Sequence, residues 1–444
     1  MINFSDWFNR IVQKNRIQSN HLDNNYRKDV YLDFASTTPL DNKVRQKMID
    51  VMNIYANPGS LHGAGVHARE IIEKYRDTIA RMVDTNVNKV IFTRGGTEAN
   101  IIGIHGVIEQ AKSKGIEKPH IITSMIEHSA VRDYLNQLKK NKTIEITYLN
   151  HDQNGYINIK ELRDAIRPET VLVSIMWVNN EIGTVENIHE ISKAIRWYRK
   201  KSREINKEGG LIKDSQYPLF HSDAVQAPCL YEIYMPRLGV DLLSLAASKM
   251  YGPKSTGILI MNRKCSIAPL FFQQDAHEYG MRPGTENIIG IVGASEAFMI
   301  AQGKETRESF QEKTKVLVIY LYKKVSPWIE QKCLRWYGET PEESSDHRPA
   351  SHIVALGVAG ISGERLVIEM SARGIMCGSR SACSTNNKGA SHVLGACGYG
   401  DQDQWGTVRI SFGRSTQLED IDRFTDSLDH ILDKIDSEKR HLLI

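Results

Sequence analysis

Lys249 stands in the stretch SKMYGPKS (248–255), directly behind an apolar run and ahead of a Gly-Pro turn. Burial there disfavours the charged ammonium and favours a neutral amine, the form that condenses with an aldehyde to a Schiff base. Taken alone, such a position is more often a strand-end lysine whose head group reaches solvent, and Lys254 is a second candidate in the same turn. Asp223 closes another apolar run in HSDAVQ (221–226), where a buried carboxylate requires a cation. In FTRGGTEAN (92–100) a strand-like run leads through Gly95, Gly96 and Thr97 into a helical pattern. Glycines allow close backbone approach, and a helix N-terminus offers N–H donors to a phosphate. His128 follows a further run in SMIEHSAV, and Asn179, Asn180 and Glu181 follow the most apolar run.

Each signal has an ordinary structural explanation, but one ligand would use them all. Pyridoxal phosphate (PLP) brings an aldehyde for an amine, a protonated ring nitrogen for a carboxylate, and a phosphate for a helix N-terminus. A histidine in such a site can stack on the ring and shuttle protons.

The elements that must position these groups follow from the hydrophobic pattern. Short apolar runs recur at 90–93, 121–124, 145–149, 171–178, 219–225, 241–248 and 257–261, with helical periodicity between several of them. This alternation predicts an α/β fold with a mostly parallel sheet covered by helices. The candidate residues all fall at the C-terminal ends of the predicted strands, where open α/β sheets place ligands. Beyond about residue 300, polar helices, a strand at SHIVALGV, a helix at GERLVIEMSARG, a strand at TVRISF and a last helix predict a smaller α+β domain. The expected division is 1–29 as an N-terminal extension, 42–298 as the large domain, and 30–41 with 299–444 as the small one.

The 444 residues are 41% hydrophobic and 25% charged, enough for two domains with a buried core. A net charge of +4 gives no reason to expect nucleic acid, and no apolar run is long enough to span a membrane. Six dispersed cysteines form no C-x-x-C pair, so no metal site is expected and a reducing compartment, the cytoplasm, is. Met1 to Asn20 contains Asp6 and lacks the apolar stretch of a secretory leader, while Phe4, Trp7, Phe8 and Ile11 share one helical face. The basic cluster Arg196, Arg199, Lys200, Lys201, Arg203 and Lys207 reads as a solvated helix extension.

In order along the chain come YLDFASTTPLD, NPGSLHGAG (57–65), FTRGGTEAN, IEHSAV, VSIMWVNNEIGTV (173–185), HSDAVQ, SKMYGPKSTG, GMRPGTEN (280–287), SRSACST (379–385) and VRISFGR (408–414). Together they resemble the class V branch of fold-type I PLP enzymes, and within it the cysteine desulfurases with a long catalytic loop. The resemblance implies that Lys249 carries the cofactor, Asp223 pairs with its ring nitrogen and His128 stacks on the ring. It implies that Asn180 and Gln226 contact the ring oxygen region and that Thr97, with Gly96, receives the phosphate. Thr285 resembles the residue that reaches the phosphate of a neighbouring subunit, which implies a homodimer. Arg409 resembles the arginine for the substrate carboxylate, with Arg414 as runner-up, and Asn57 and Asn180 join the substrate set. Cys383, in the stretch SACSTNNKGAS, is then the nucleophile that takes sulfur from L-cysteine and passes it to an acceptor, such as an iron–sulfur scaffold or a tRNA-thiolation carrier.

One stretch departs from the family pattern. Ala246-Ala247-Ser248-Lys249 stands where a Ser-Gly-His-Lys sequence is usual, so one phosphate donor is lost and Ser248 replaces another. Weaker cofactor retention, or a substitute donor such as Ser244, is expected. The alternatives are another class V lyase or aminotransferase, such as a selenocysteine lyase, and a degenerate non-catalytic scaffold.

Overall fold

The computed structural model describes residues 29–207, 216–270, 277–343, 351–379, 391–400 and 405–441. The expected N-terminal helix and Cys383 lie outside the described residues. The described chain starts in a two-residue strand, β1 (Val30–Tyr31), and then builds β2 (Val90–Thr93), β3 (His120–Ser124), β4 (Glu145–Leu149), β5 (Thr170–Ser174), β6 (Leu219–Asp223), β7 (Leu242–Ala246) and β8 (Gly257–Met261). These last seven form one sheet in the order β2-β8-β7-β6-β5-β3-β4.

All of its pairings are parallel except those of β8, which runs against both β2 and β7. Reversing one strand leaves the other six pointing the same way, so their C-terminal ends share one edge. Side chains alternate between two cores, as a doubly covered sheet requires. Ile122, Val173, Phe220, Leu243 and Ile258 feed one face. Ile121, Leu172, Leu219, Leu242 and Leu259 feed the other.

The apolar run at 171–178 yields a shorter strand than expected. β5 ends at Ser174, although Ile175 and Trp177 still donate their N–H groups to His221 O (3.1 Å) and Asp223 O (2.9 Å). The chain then turns because Asn179 Oδ1 accepts the N–H groups of Glu181 (2.9 Å) and Ile182 (3.0 Å).

The C-terminal part forms a three-stranded antiparallel sheet of β9 (Leu334–Tyr337), β10 (Ile353–Ala359) and, beyond the two-residue β11 (Ile375–Met376), β12 (Trp405–Ser411). Val354, Leu356, Val408 and Ile410 pack there with Leu317 and Leu321 of the helix Lys304–Glu330 and with Phe424 and Leu428 of the helix Leu418–His441. β1 pairs in parallel with β11, which ties the first described residues to this region.

The basic cluster is not simply a solvated face. Arg199, on the helix Ile188–Lys207, donates to Pro218 O (2.8 Å from Nε) and forms an ion pair with Asp241, so it braces the start of β6. Among the described residues no helix is long and apolar enough to cross a membrane, and no three His, Cys, Asp or Glu side chains converge as a metal site.

Candidate active site

A cavity of about 270 Å³ opens at the C-terminal edge of the large sheet. Arg94 to Thr97 reach it after β2, His128 after β3, Met176 and Asn180 after β5, and Val225 and Gln226 after β6. Ala246, Ser248 and Lys249 come from the end of β7. Because β8 is reversed, Ser255 and Thr256 arrive there just before it begins. Ala35 and Ser36 from the chain's start and Arg409 from β12 close the far side.

Lys249 lies in a short 3₁₀ turn, Ala247–Lys249, and its Nζ donates to Ser36 O. Lys254 is exposed and does not line the cavity. Asp223 is 4% exposed. Its Oδ1 accepts from Val225 N (3.0 Å) and its Oδ2 from Asn100 Nδ2 (2.7 Å), and no ion pair reaches it among the described residues. Gln226 Nε2 donates to Ala35 O (2.9 Å), which leaves its Oε1 buried without a partner among the described residues.

The glycine pair has a steric cause. Gly95 adopts φ +149°, a conformation that L side chains rarely take, and caps the helix Gly96–Ser113. A Cβ on Gly96 would lie 2.6 Å from Val225 Cγ2. Thr97 stands in the first turn of that helix with its side chain at the cavity.

His128 caps the helix Ser129–Lys140, its Nδ1 accepting from Ala130 N (3.1 Å). That bond commits the Nδ1 lone pair and leaves Nε2 as the proton-bearing nitrogen of the neutral ring. Of the Asn179-Asn180-Glu181 trio only Asn180 lines the cavity. Asn179 is spent on the turn, and Glu181 Oε2 accepts from Ser391 Oγ (2.7 Å).

Arg409 is 2% exposed and lines the cavity. Its Nη1 donates to Asn180 O (2.9 Å), and its Nη2 donates to Asp33 Oδ1 (2.8 Å) and Ser36 Oγ (2.6 Å). Arg414 is directed elsewhere: it pairs with Asp41 (3.1 Å) and stacks on Tyr251, outside the cavity lining. The charges of Arg409 and Lys249 add to burial in pushing the His352 imidazole down to about 4, burial being the larger cause.

Two expectations, for Ser244 and Asn57, meet different geometry. Ser244 is no substitute phosphate donor, because its hydroxyl is fully buried against His221 Nε2 (3.0 Å) and does not line the cavity. The hydroxyls that line that wall are Ser248, Ser255 and Thr256. Asn57 and Thr285 lie together, 3.4 Å apart, and neither lines this chain's own cavity. Sequence reasoning also missed Asn100, Asp33 and Ser36. Asn100 falls three residues after Thr97, a spacing that puts both on one helix face.

The described cysteines make poor nucleophiles. Burial pushes the thiols of Cys229 up to about 11 and of Cys377 and Cys397 to about 12, and raises Cys265 as well. Cys333 donates to Trp328 O (3.3 Å) away from the cavity lining.

Comparison with known proteins agrees with this geometry. Residues 30–424 match the family model for aminotransferase class-V. The cysteine desulfurase IscS of Dictyoglomus turgidum is 35% identical over 410 residues, covering 92% of this chain and 96% of that protein. The cysteine desulfurase IscS of Neisseria meningitidis serogroup C is 35% identical over 395 residues, covering 88% and 89%. A solved NifS-like protein superposes with a TM-score of 0.77 at 28% identity, covering 91% of this chain and 99% of that one. A structure of SspA in complex with cysteine gives a TM-score of 0.65 at 26% identity, covering 86% and 98%. On this match of sequence and fold, the chain belongs to the class-V aminotransferases and, within them, to the cysteine desulfurases.

Proposed function

We propose that this chain uses pyridoxal phosphate to convert L-cysteine to L-alanine, with the sulfur received on Cys383 as a persulfide. The observation that carries the reading is the convergence of Lys249, Asp223, His128 and Arg409 on one cavity at the C-terminal sheet edge. The residues present fit the cofactor. Asp223 is a buried carboxylate held by two neutral donors, so a ring cation would complete it. Gln226 Oε1 has no partner among the described residues, and Gly96 lets the helix N-terminus pack against Val225 where a Cβ would clash. Lys249, Asp223, Gln226, Thr97, Gly96, Ser248 and His128 would hold the group, which when bound supplies an electron sink for charge developing on the substrate Cα.

The chain's own residues do the rest. Arg409 draws the substrate carboxylate to one side of the cavity by its charge. Lys249 Nζ takes and returns the Cα proton, and His128 Nε2 holds or moves a proton beside it. The Cys383 thiolate attacks the substrate sulfur; an S–S bond forms as the C–S bond breaks, and protonation of the carbon left behind yields alanine.

The reading extends to a cytoplasmic homodimer and a protein that accepts the sulfur, such as an iron–sulfur scaffold or a tRNA-thiolation carrier. Tyr55 and Leu61, 93% and 90% exposed, flank Asn57 in sequence, which supports a second copy covering that surface. In this reading residues 42–298 form the cofactor domain, and 30–41 with 299–444 form the smaller one. The test is sulfide and alanine release from L-cysteine with a reductant. Wild type should give equal amounts, and Cys383→Ser should give neither while keeping the visible cofactor band. A Cys383→Ser variant as active as wild type would refute the sulfur-accepting role, and a band that survives Lys249→Ala would refute that of the lysine.

A further inference from the structure

We propose that Asn100 is the positioning residue of the cofactor's carboxylate partner: its side-chain N–H fixes the orientation of Asp223. The inference rests on the cofactor reading above and assigns a residue that the reading does not use.

Asn100 is 1% exposed, one turn into the helix that begins at the glycine cradle. Its Nδ2 donates to Asp223 Oδ2 at 2.7 Å, while Val225 N donates to Oδ1 at 3.0 Å. Each carboxylate oxygen thus spends one lone pair on a neutral donor, and the plane of the group is set. Chemistry also dictates which way round the amide sits, since only its NH₂ end can face a carboxylate.

That orientation has a cost visible in the structure. Asn100 Oδ1 is left buried without a hydrogen-bond partner among the described residues. Of the helix's other buried positions nearby, Ala99, Ile102 and Ile104 are aliphatic and Gly103 has no side chain. A leucine at 100 keeps the same branching with bulkier ends and removes the orphaned oxygen, but takes the donor away from Asp223 Oδ2. The asparagine is explained by what its N–H does for Asp223. Without that donor the carboxylate would be free to rotate and lose its aim at a ring cation.

Asn100→Leu therefore separates fold from function. Equilibrium dialysis of the full-length chain against pyridoxal phosphate should show affinity weakened by roughly 10- to 100-fold, the effect of one hydrogen bond to a charged group. The melting temperature of the same variant without added cofactor should fall only slightly, because the donor lost to Asp223 is offset by removal of the orphaned Asn100 oxygen. In an Asp223→Asn background, adding Asn100→Leu should weaken cofactor binding no further, because the two changes remove one interaction. Wild-type affinity in Asn100→Leu overturns the proposal. So does a loss of affinity that comes with an equally lowered melting temperature, or a loss fully additive with Asp223→Asn. A wild-type chain that takes up no pyridoxal phosphate overturns the cofactor reading itself, and the inference with it.

Discussion

Asp33→Asn should tighten carboxylate binding while loosening the fold. In the structure, Asp33 Oδ1 accepts from Arg409 Nη2 (2.8 Å) and from Ser36 Oγ (2.8 Å), and that hydroxyl in turn accepts from Arg409 (2.6 Å). The arginine side chain is 2% exposed and the aspartate 24%. A substrate carboxylate reaching Arg409 must share a cation that already has an anionic partner. Neutralising Asp33 leaves Arg409 with the neutral acceptors Asn180 O and Ser36 Oγ. A hydrogen bond to a charged group contributes about 1.5–3 kcal/mol, and the lower end applies to a partly exposed partner. An entering carboxylate recovers that loss, so affinity should rise by about tenfold, equivalent to about 1.4 kcal/mol. The assay is calorimetric titration of the cofactor-loaded protein with L-alanine, the product and a non-reacting carboxylate, alongside thermal melting. The ligand-free variant should melt below wild type, and alanine should close the gap. Unchanged or weaker alanine binding in Asp33→Asn, with Arg409→Lys weakening it, would show that Asp33 does not compete for the arginine.

Further outcomes follow from contacts elsewhere. Gly96→Ala should weaken cofactor uptake by forcing its Cβ against Val225, and Val225→Ala in the same chain should restore it, both measured by the visible band. His352 stays neutral in the fold to about pH 4, whereas an unfolded histidine protonates near 6.5. Stability is therefore lost as pH falls from about 6.5 towards 4, by up to about 3 kcal/mol from this group; His352→Gln should flatten that part of a denaturation profile. Arg76 and Glu278 form a buried pair at 2.6 Å with side chains each 1% exposed. Glu278→Gln should cost about 3 kcal/mol, the low end for breaking a buried pair, because the guanidinium keeps only the partly exposed Glu73 (3.1 Å) as its anion, read as a lower urea midpoint.

Much of the fold was legible because strand and helix periods differ. EITYL and GILIM became strands with the expected bounds, their β-branched and apolar residues matching a pleated, covered surface. The strand LRWY escaped notice because it is four residues long and Arg335 interrupts its apolar pattern. The edge that gathers the site was legible from connection order alone. What failed depended on side-chain direction. Ser244 is one candidate for a substitute donor on position alone, yet its hydroxyl bonds His221 on the neighbouring strand, which spacing along one strand cannot reveal. Arg409 and Arg414 look alike in VRISFGR, but one lies on a strand inside the molecule and the other beyond its end, beside Asp41. Asp33 and Ser36 were invisible as site residues because their partner at 409 is remote in the chain, and no local pattern reports such a contact.

That remoteness also sets a timetable. Ala35 N bonds Ser411 Oγ across 376 residues, and Ser36 bonds Arg409 across 373. At about 5–20 residues per second of synthesis, roughly 20–75 s separate the emergence of the two sides. The equilibrium cost of joining ends so far apart grows only with the logarithm of the loop. The delay is thus one of order rather than of energy: the large sheet can assemble first, and its cavity acquires a wall at Arg409 only when the last strand is made. Cofactor capture that depends on the finished wall then belongs to the end of biogenesis, and a chain stopped before β12 should carry the lysine but not the closed site.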